Sequence, residues 1–159
     1  MFSARRTSYT ERVPFLTGEK METMEKSFEA MYDEGLKLYT DGAPLEEVLA
    51  FFNDLSKKSN DMRVMISLSW LHILMGNKEQ AFLYLKEAKK TVQGKFNYVL
   101  ALLAFGGTGV RERFEQAVEA GGAEGVNDAI ENLEDAIARK DGSFKPAEKM
   151  LSWLRDIKK

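Results

Sequence analysis

The sequence predicts an all-α fold, an array of paired antiparallel helices, and three observations predict it. From Met21 onward, apolar residues recur at three- and four-residue intervals, the spacing of one helix face. No segment sustains the period-two alternation of a half-buried strand. Glycines recur at 42, 76, 109 and 142, intervals of 34, 33 and 33 residues, close to the length of one helical hairpin.

The elements follow in order. Residues 21–40 place Met24, Phe28, Met31, Tyr32, Leu36 and Tyr39 on one stripe. Asp41-Gly42-Ala43-Pro44 stops that helix and starts the next, because glycine suits a left-handed stop and proline a first turn. Residues 44–57 continue with Leu45, Val48, Leu49, Phe51, Phe52 and Leu55 as the expected buried face. Asn60 or Asp61 caps a third helix running to about Met75. That helix is apolar on more than one face, which predicts a central position. Gly76-Asn77 precedes a helix over 78–92, and a very apolar one follows over 95–105. Gly106-Gly107-Thr108-Gly109 ends it, and residues 110–120 continue with Phe114, Ala117 and Val118 on one side. Gly121, Gly122 and Gly125 predict a loop before a helix over 126–139. Asp141-Gly142-Ser143 then turns the chain into a last helix opened by Pro146.

Residues 1–20 differ from the rest. Arg5, Arg6, Arg12 and Lys20 oppose Glu11 and Glu19, a local charge of +2, and Pro14 and Gly18 interrupt any helix. They read as a flexible basic arm preceding a helical-repeat domain over 21–159, since termini are commonly poorly ordered. A targeting segment, or an arm docking Phe2, Tyr9 or Phe15 onto the body, are the other readings of this stretch.

Composition narrows the function. The 159 residues carry a net charge of −2, which disfavours a nucleic-acid binder. The absence of cysteine excludes disulfides and thiolate metal sites. His72 is the sole histidine, and beside Trp70 and Leu71 it reads as a packed residue. The carboxylate groups Glu46/Glu47/Asp54, Glu124/Asp128 and Glu131/Glu134/Asp135 have no histidine partners and read as solvated helix faces. The cations Lys86, Lys89, Lys90 and Lys95 read as solubilising helix ends. Gly106-Gly107-Thr108-Gly109 lacks the lysine and hydroxyl of a phosphate loop. No run of 18 apolar residues predicts membrane insertion. The expectation is a cytoplasmic protein with no catalytic residues, no metal and no cofactor.

The residues around the glycines repeat as well. Gly76 is followed at five, nine and twelve positions by Ala81, Leu85 and Ala88, and Gly142 by Ala147, Leu151 and Leu154. Gly35 and Ser69, 34 residues apart, put small residues where paired helices must approach closely. In these features residues 27–157 resemble the tetratricopeptide repeat (TPR) family. The family's tryptophan and unit-ending proline are absent from their usual places, so the repeats are degenerate.

The resemblance implies a right-handed superhelical array of about four hairpins, a TPR-like α-solenoid. Its concave face would be lined by the first helix of each pair. Carried onto this chain, that face includes Tyr32, Leu36 and Tyr39, then Arg63, Ile66, Trp70, Ile73 and Leu74, then Asn97 and Leu100. It is apolar and aromatic, and lacks the clamp with which some members grip carboxylate termini. It therefore suits an apolar peptide or amphipathic helix of a partner protein. A non-catalytic interaction module (adaptor, chaperone or assembly factor) is the expected function. The alternative is a permanent structural subunit of a larger complex, packed through its solenoid surface and N-terminal arm. Trp70 discriminates: exposed, it is a binding anchor; buried, it is packing. The groove itself has two readings, open to a partner or filled by the protein's own tail or last helix.

Overall fold

The computed structural model describes residues 27–158. The expectations for the arm 1–20 and for the first residues of the first helix lie outside the described residues. Among the described residues seven helices account for 82% of the positions, and there is no strand. They are α1 (Phe28–Thr40), α2 (Leu45–Lys58), α3 (Met62–Leu74), α4 (Lys78–Ala88), α5 (Val92–Phe105), α6 (Val110–Arg139) and α7 (Lys145–Lys158). None is long and apolar enough to cross a membrane.

Local chemistry sets the boundaries. Ser27 caps α1 by accepting from the Ala30 amide, and Asp61 caps α3 by accepting from the Arg63 amide. The expected break between α4 and α5 is displaced: α4 ends at Ala88 and α5 already begins at Val92. Thr91 is the reason, because its Oγ1 accepts from the Gly94 amide and supplies the cap.

The turn glycines share a spacing without sharing one role. Gly42 and Gly76 have φ of 86° and 77°. The amides of Gly42 and Ala43 return to Tyr39 and Leu38, and those of Gly76 and Asn77 to Ile73 and His72, closing α1 and α3 as paired Schellman motifs. At the end of α6 the left-handed position falls on Asp141, φ 58°, with Gly142 one residue later. Gly109 closes nothing: it is the N-cap of α6, and Gly106 ends α5. The regular glycine period therefore overstates how alike the later turns are.

Each helix packs on its successor, α3 also packs on α5, and α5 on α7. The core runs through all of them, with Phe52, Leu68, Leu71, Leu85, Phe114 and Leu154 inaccessible or nearly so. Each such side chain contributes roughly 1.5–3 kcal/mol by leaving water. α3 is buried on most sides, as its apolar surface predicts. At Gly35 a Cβ would stand 2.6 Å from the Phe52 ring, so the small residue is what allows α1 and α2 to meet.

The expected loop at Gly121–Gly125 is absent. Gly122 alone leaves helical geometry, at φ 63° and ψ −162°, in a region open essentially to glycine. It divides α6 into segments 110–121 and 123–139. Gly121 and Gly125 stay helical because their missing Cβ atoms make room for Val92, at 2.9 and 3.2 Å. Gly122→Ala is expected to destabilise the fold by about 1–3 kcal/mol through backbone strain, read as a lower urea midpoint by circular dichroism. An unchanged midpoint would contradict a fixed break there.

Candidate functional site

The face assembled from α1, α3 and α5 brings together the residues expected to line a groove, but most of them are interior. Tyr32, Leu36, Tyr39, Trp70, Ile73, Leu74, Asn97 and Leu100 are all buried. Arg63 and Ile66 are half-buried. Trp70 is 2% exposed and is packing, not a free anchor. Its removal to alanine therefore attacks the core, at roughly 3–5 kcal/mol.

Part of the burial comes from the second segment of α6. Ala129, Asn132 and Leu133 share a small void with Trp70, Phe96, Asn97 and Met150. The Trp70 indole N–H donates to the Tyr39 hydroxyl at 3.1 Å, and that hydroxyl donates to Asp135 at 2.5 Å. Arg139 lies 4.3 Å over the Tyr39 ring and donates to the carbonyls of Tyr39 and Ala43. Lys140 donates to the Leu74 carbonyl at 3.1 Å. Thus side chains from this later segment add contacts at the turns that close α1 and α3. Arg139 joins the Gly42 amide on the Tyr39 carbonyl and reaches Ala43 in the following turn, and Lys140 supplies a donor for the Leu74 carbonyl at the end of α3.

Two polar atoms in this seam remain unmet among the described residues. Asn97 donates to Ser69 Oγ and the Ile66 carbonyl, but its Oδ1 has no partner, and neither has Asn132 Nδ2. Both residues line the same void, of about 10 Å³, near the lower limit for one water. Each unmet buried group costs about 1–3 kcal/mol.

Arg63 is not a flanking charge held ready for a ligand. It pairs with both oxygens of Glu29, at 2.6 and 2.9 Å, and with Asp61, and it stacks over Phe28 and Tyr32. It ties the starts of α1 and α3 together. Its hydrogen bonds hold the Asp61 carboxyl below the usual carboxylate range.

Burial is the main force pushing the Tyr39 phenol well above its ordinary pKa, reinforced by Asp135. The hydroxyl therefore stays protonated and serves as a bridge, not as a base. Burial pushes His72 down. An amide N–H₂ can only donate, so Asn77 Nδ2, 3.1 Å from His72 Nδ1, places the imidazole proton on Nε2. The ring stacks on Tyr84, with centroids 5.7 Å apart. Among the described residues no group of three or more His, Asp or Glu could hold a metal ion.

Asp135, Asn132 and Arg139 are the members of this site that sequence reasoning missed. Their segment shows an ordinary amphipathic pattern, and only the long-range packing reveals what Asp135 holds. Comparisons of the chain with protein-family models, with curated proteins and with solved structures give no match.

Tyr39→Phe is expected to cost about 1–3 kcal/mol, because the buried Trp70 N–H loses its acceptor; a urea midpoint within error of wild type would refute that bridge. For His72 the sign is fixed by its lowered pKa. The unfolded state takes up the proton first, near pH 6.5. Stability is therefore full above that pH and lost as pH falls below it. Thermal melts from pH 7.5 to pH 5 should show a steeper fall for wild type than for His72→Gln.

Proposed function

We propose that this chain is a non-catalytic protein-interaction module of TPR-like plan, an adaptor, chaperone or assembly factor. In this reading the face of α1, α3 and α5 accepts an amphipathic helix of a partner protein. The observation that carries it is that a helix already lies against that face: the second segment of α6, attached through one non-helical glycine. What the face accommodates can be read from that segment. Small Ala129 and apolar Leu133 sit at four-residue spacing beside Trp70, and Asp135 and Arg139 grip the polar end of α1. A partner helix carrying a similar stripe would displace it. Supporting this are the unmet Asn97–Asn132 seam and a cavity of about 420 Å³ beside the break, lined by Val118, Gly122, Ala123, Val126, Asn127 and Ile157. The paired Schellman turns 34 residues apart and the close approach at Gly35 support the repeat plan itself.

A face occupied by its own helix binds in proportion to the fraction of time it is free. Loosening the occupant should therefore tighten capture. The test is a fluorescent peptide of residues 123–139 titrated into the full chain and into Asp135→Ala/Arg139→Ala. The double variant should bind at least about tenfold more tightly than wild type, which corresponds to ~1.4 kcal/mol of lost self-occupancy. Ile66→Glu in that background should abolish the gain. Equal, weak binding by folded wild type and double variant would overturn the groove reading.

A further inference from the structure

A second concavity lies away from that face. Lys89 and Lys90 at the end of α4, Lys95 and Tyr98 from α5, and Arg113 and Gln116 from the first segment of α6 line one pocket of about 190 Å³. Three helices thus bring four cations and no acid to its wall, in a chain whose net charge is −2. Lys89 Nζ is 5.1 Å and Arg113 Cζ 5.3 Å from the centroid of the Tyr98 ring. Lys95 is held in place by donating to the Lys89 carbonyl at 3.0 Å. Lys90 is paired with Glu87, whereas Lys89, Lys95 and Arg113 have no carboxylate partner among the described residues.

Like charges gathered without a counterion repel, and an anion that enters relieves that repulsion. A carboxylate would bring a single charge against three unneutralised cations. A phosphate monoester brings about −1.5 to −2 charges and three acceptor oxygens, and a guanidinium matches two of them at once. The pocket is smaller than the ~300–1,000 Å³ typical of small-molecule sites, which favours a group presented on a larger carrier. We infer that the pocket of Lys89, Lys95, Tyr98 and Arg113 binds a phosphoryl group carried on a partner protein. This inference stands apart from the groove reading, since it uses the outer side of α5 and the first segment of α6.

The experiment is a titration of the ¹⁵N-labelled full chain, at low ionic strength, with a short phosphoserine peptide. Its unphosphorylated twin, inorganic phosphate and a single-stranded oligonucleotide are the other arms. Saturable amide shifts confined to residues 89–98 and 113–116, given by the phosphopeptide and not by its twin, are the expected result. Lys89→Ala/Arg113→Ala, its fold checked by circular dichroism, should weaken that binding at least about tenfold. Shifts that fail to saturate, or that persist in the double variant, would overturn the site. Inorganic phosphate binding as tightly as the peptide would overturn the protein carrier, and tighter binding of the oligonucleotide would overturn the ligand class.

Discussion

Residues 123–139 must lie against helices that precede them by as much as 100 positions, and the Tyr39 hydroxyl is where the most distant parts meet. It takes the Trp70 N–H on one side and gives its own proton to Asp135 on the other. Arg139, four residues beyond Asp135, donates to the Tyr39 and Ala43 carbonyls at the turn after α1, and Lys140 donates to the Leu74 carbonyl at the end of α3. The glycine turns that close two helices are thus pinned by cations at the end of a third. Contacts of this sequence separation are costly to form, because closing a long loop loses entropy before any bond compensates for it. The apolar seat of Leu133 and Ala136 supplies the favourable side of that balance, and the polar groups fix its register.

What was readable in the sequence is what depends on neighbours along the chain. Apolar spacing and turn residues locate the helices, α3 and α5 through apolar surface on more than one face, and Gly42 and Gly76 mark real Schellman turns because a left-handed stop favours glycine. Gly35 was readable as a close approach for the same reason, since a recurring small residue on a helix face has few other uses. The errors sit where a local signal has two physical meanings. Gly109 falls on the period and yet begins a helix, while Gly106 does the stopping. Three nearby glycines suggested a loop at 121–125, but two of them are small residues against Val92 and only Gly122 is a break. Thr91 falls inside the helix expected over 78–92, but its hydroxyl accepts from the Gly94 amide and starts α5 there.

The candidate face was legible as a set of residues and not as a surface. Apolar spacing identifies Tyr39, Trp70 and Leu100 as lying on one side of their helices, but the same spacing describes a core and a groove equally well. Deciding between them requires knowing where residues 123–139 go, and no local signal gives that direction. Arg63 illustrates the same point in charge. Its position on the face was anticipated, but its partners Glu29 and Asp61 neutralise it within the fold. Lys89, Lys95 and Arg113 show the converse: the two lysines read as solubilising helix ends and Arg113 carries no signal of its own, and the three converge on Tyr98 only once α4, α5 and α6 are packed.

The two sites meet α6 on opposite sides of Gly122. Arg113 and Gln116 belong to the segment before the break, while Asn132, Leu133 and Asp135 belong to the one after it. α5 faces both, with Lys95 and Tyr98 toward the first segment and Phe96 and Asn97 toward the second. An anion drawing Arg113 toward Lys89 would stiffen the first segment against α5 without touching the seat of the second. Coupling between the two proposed sites has two routes, the Gly122 backbone and α5, which lines both. Along α6 the relay is interrupted, because the helical hydrogen bonding does not run straight through a residue at φ 63° and ψ −162°. A partner engaging both proposed surfaces would gain through effective concentration, and any change of shape passed between them would travel through α5 rather than along α6.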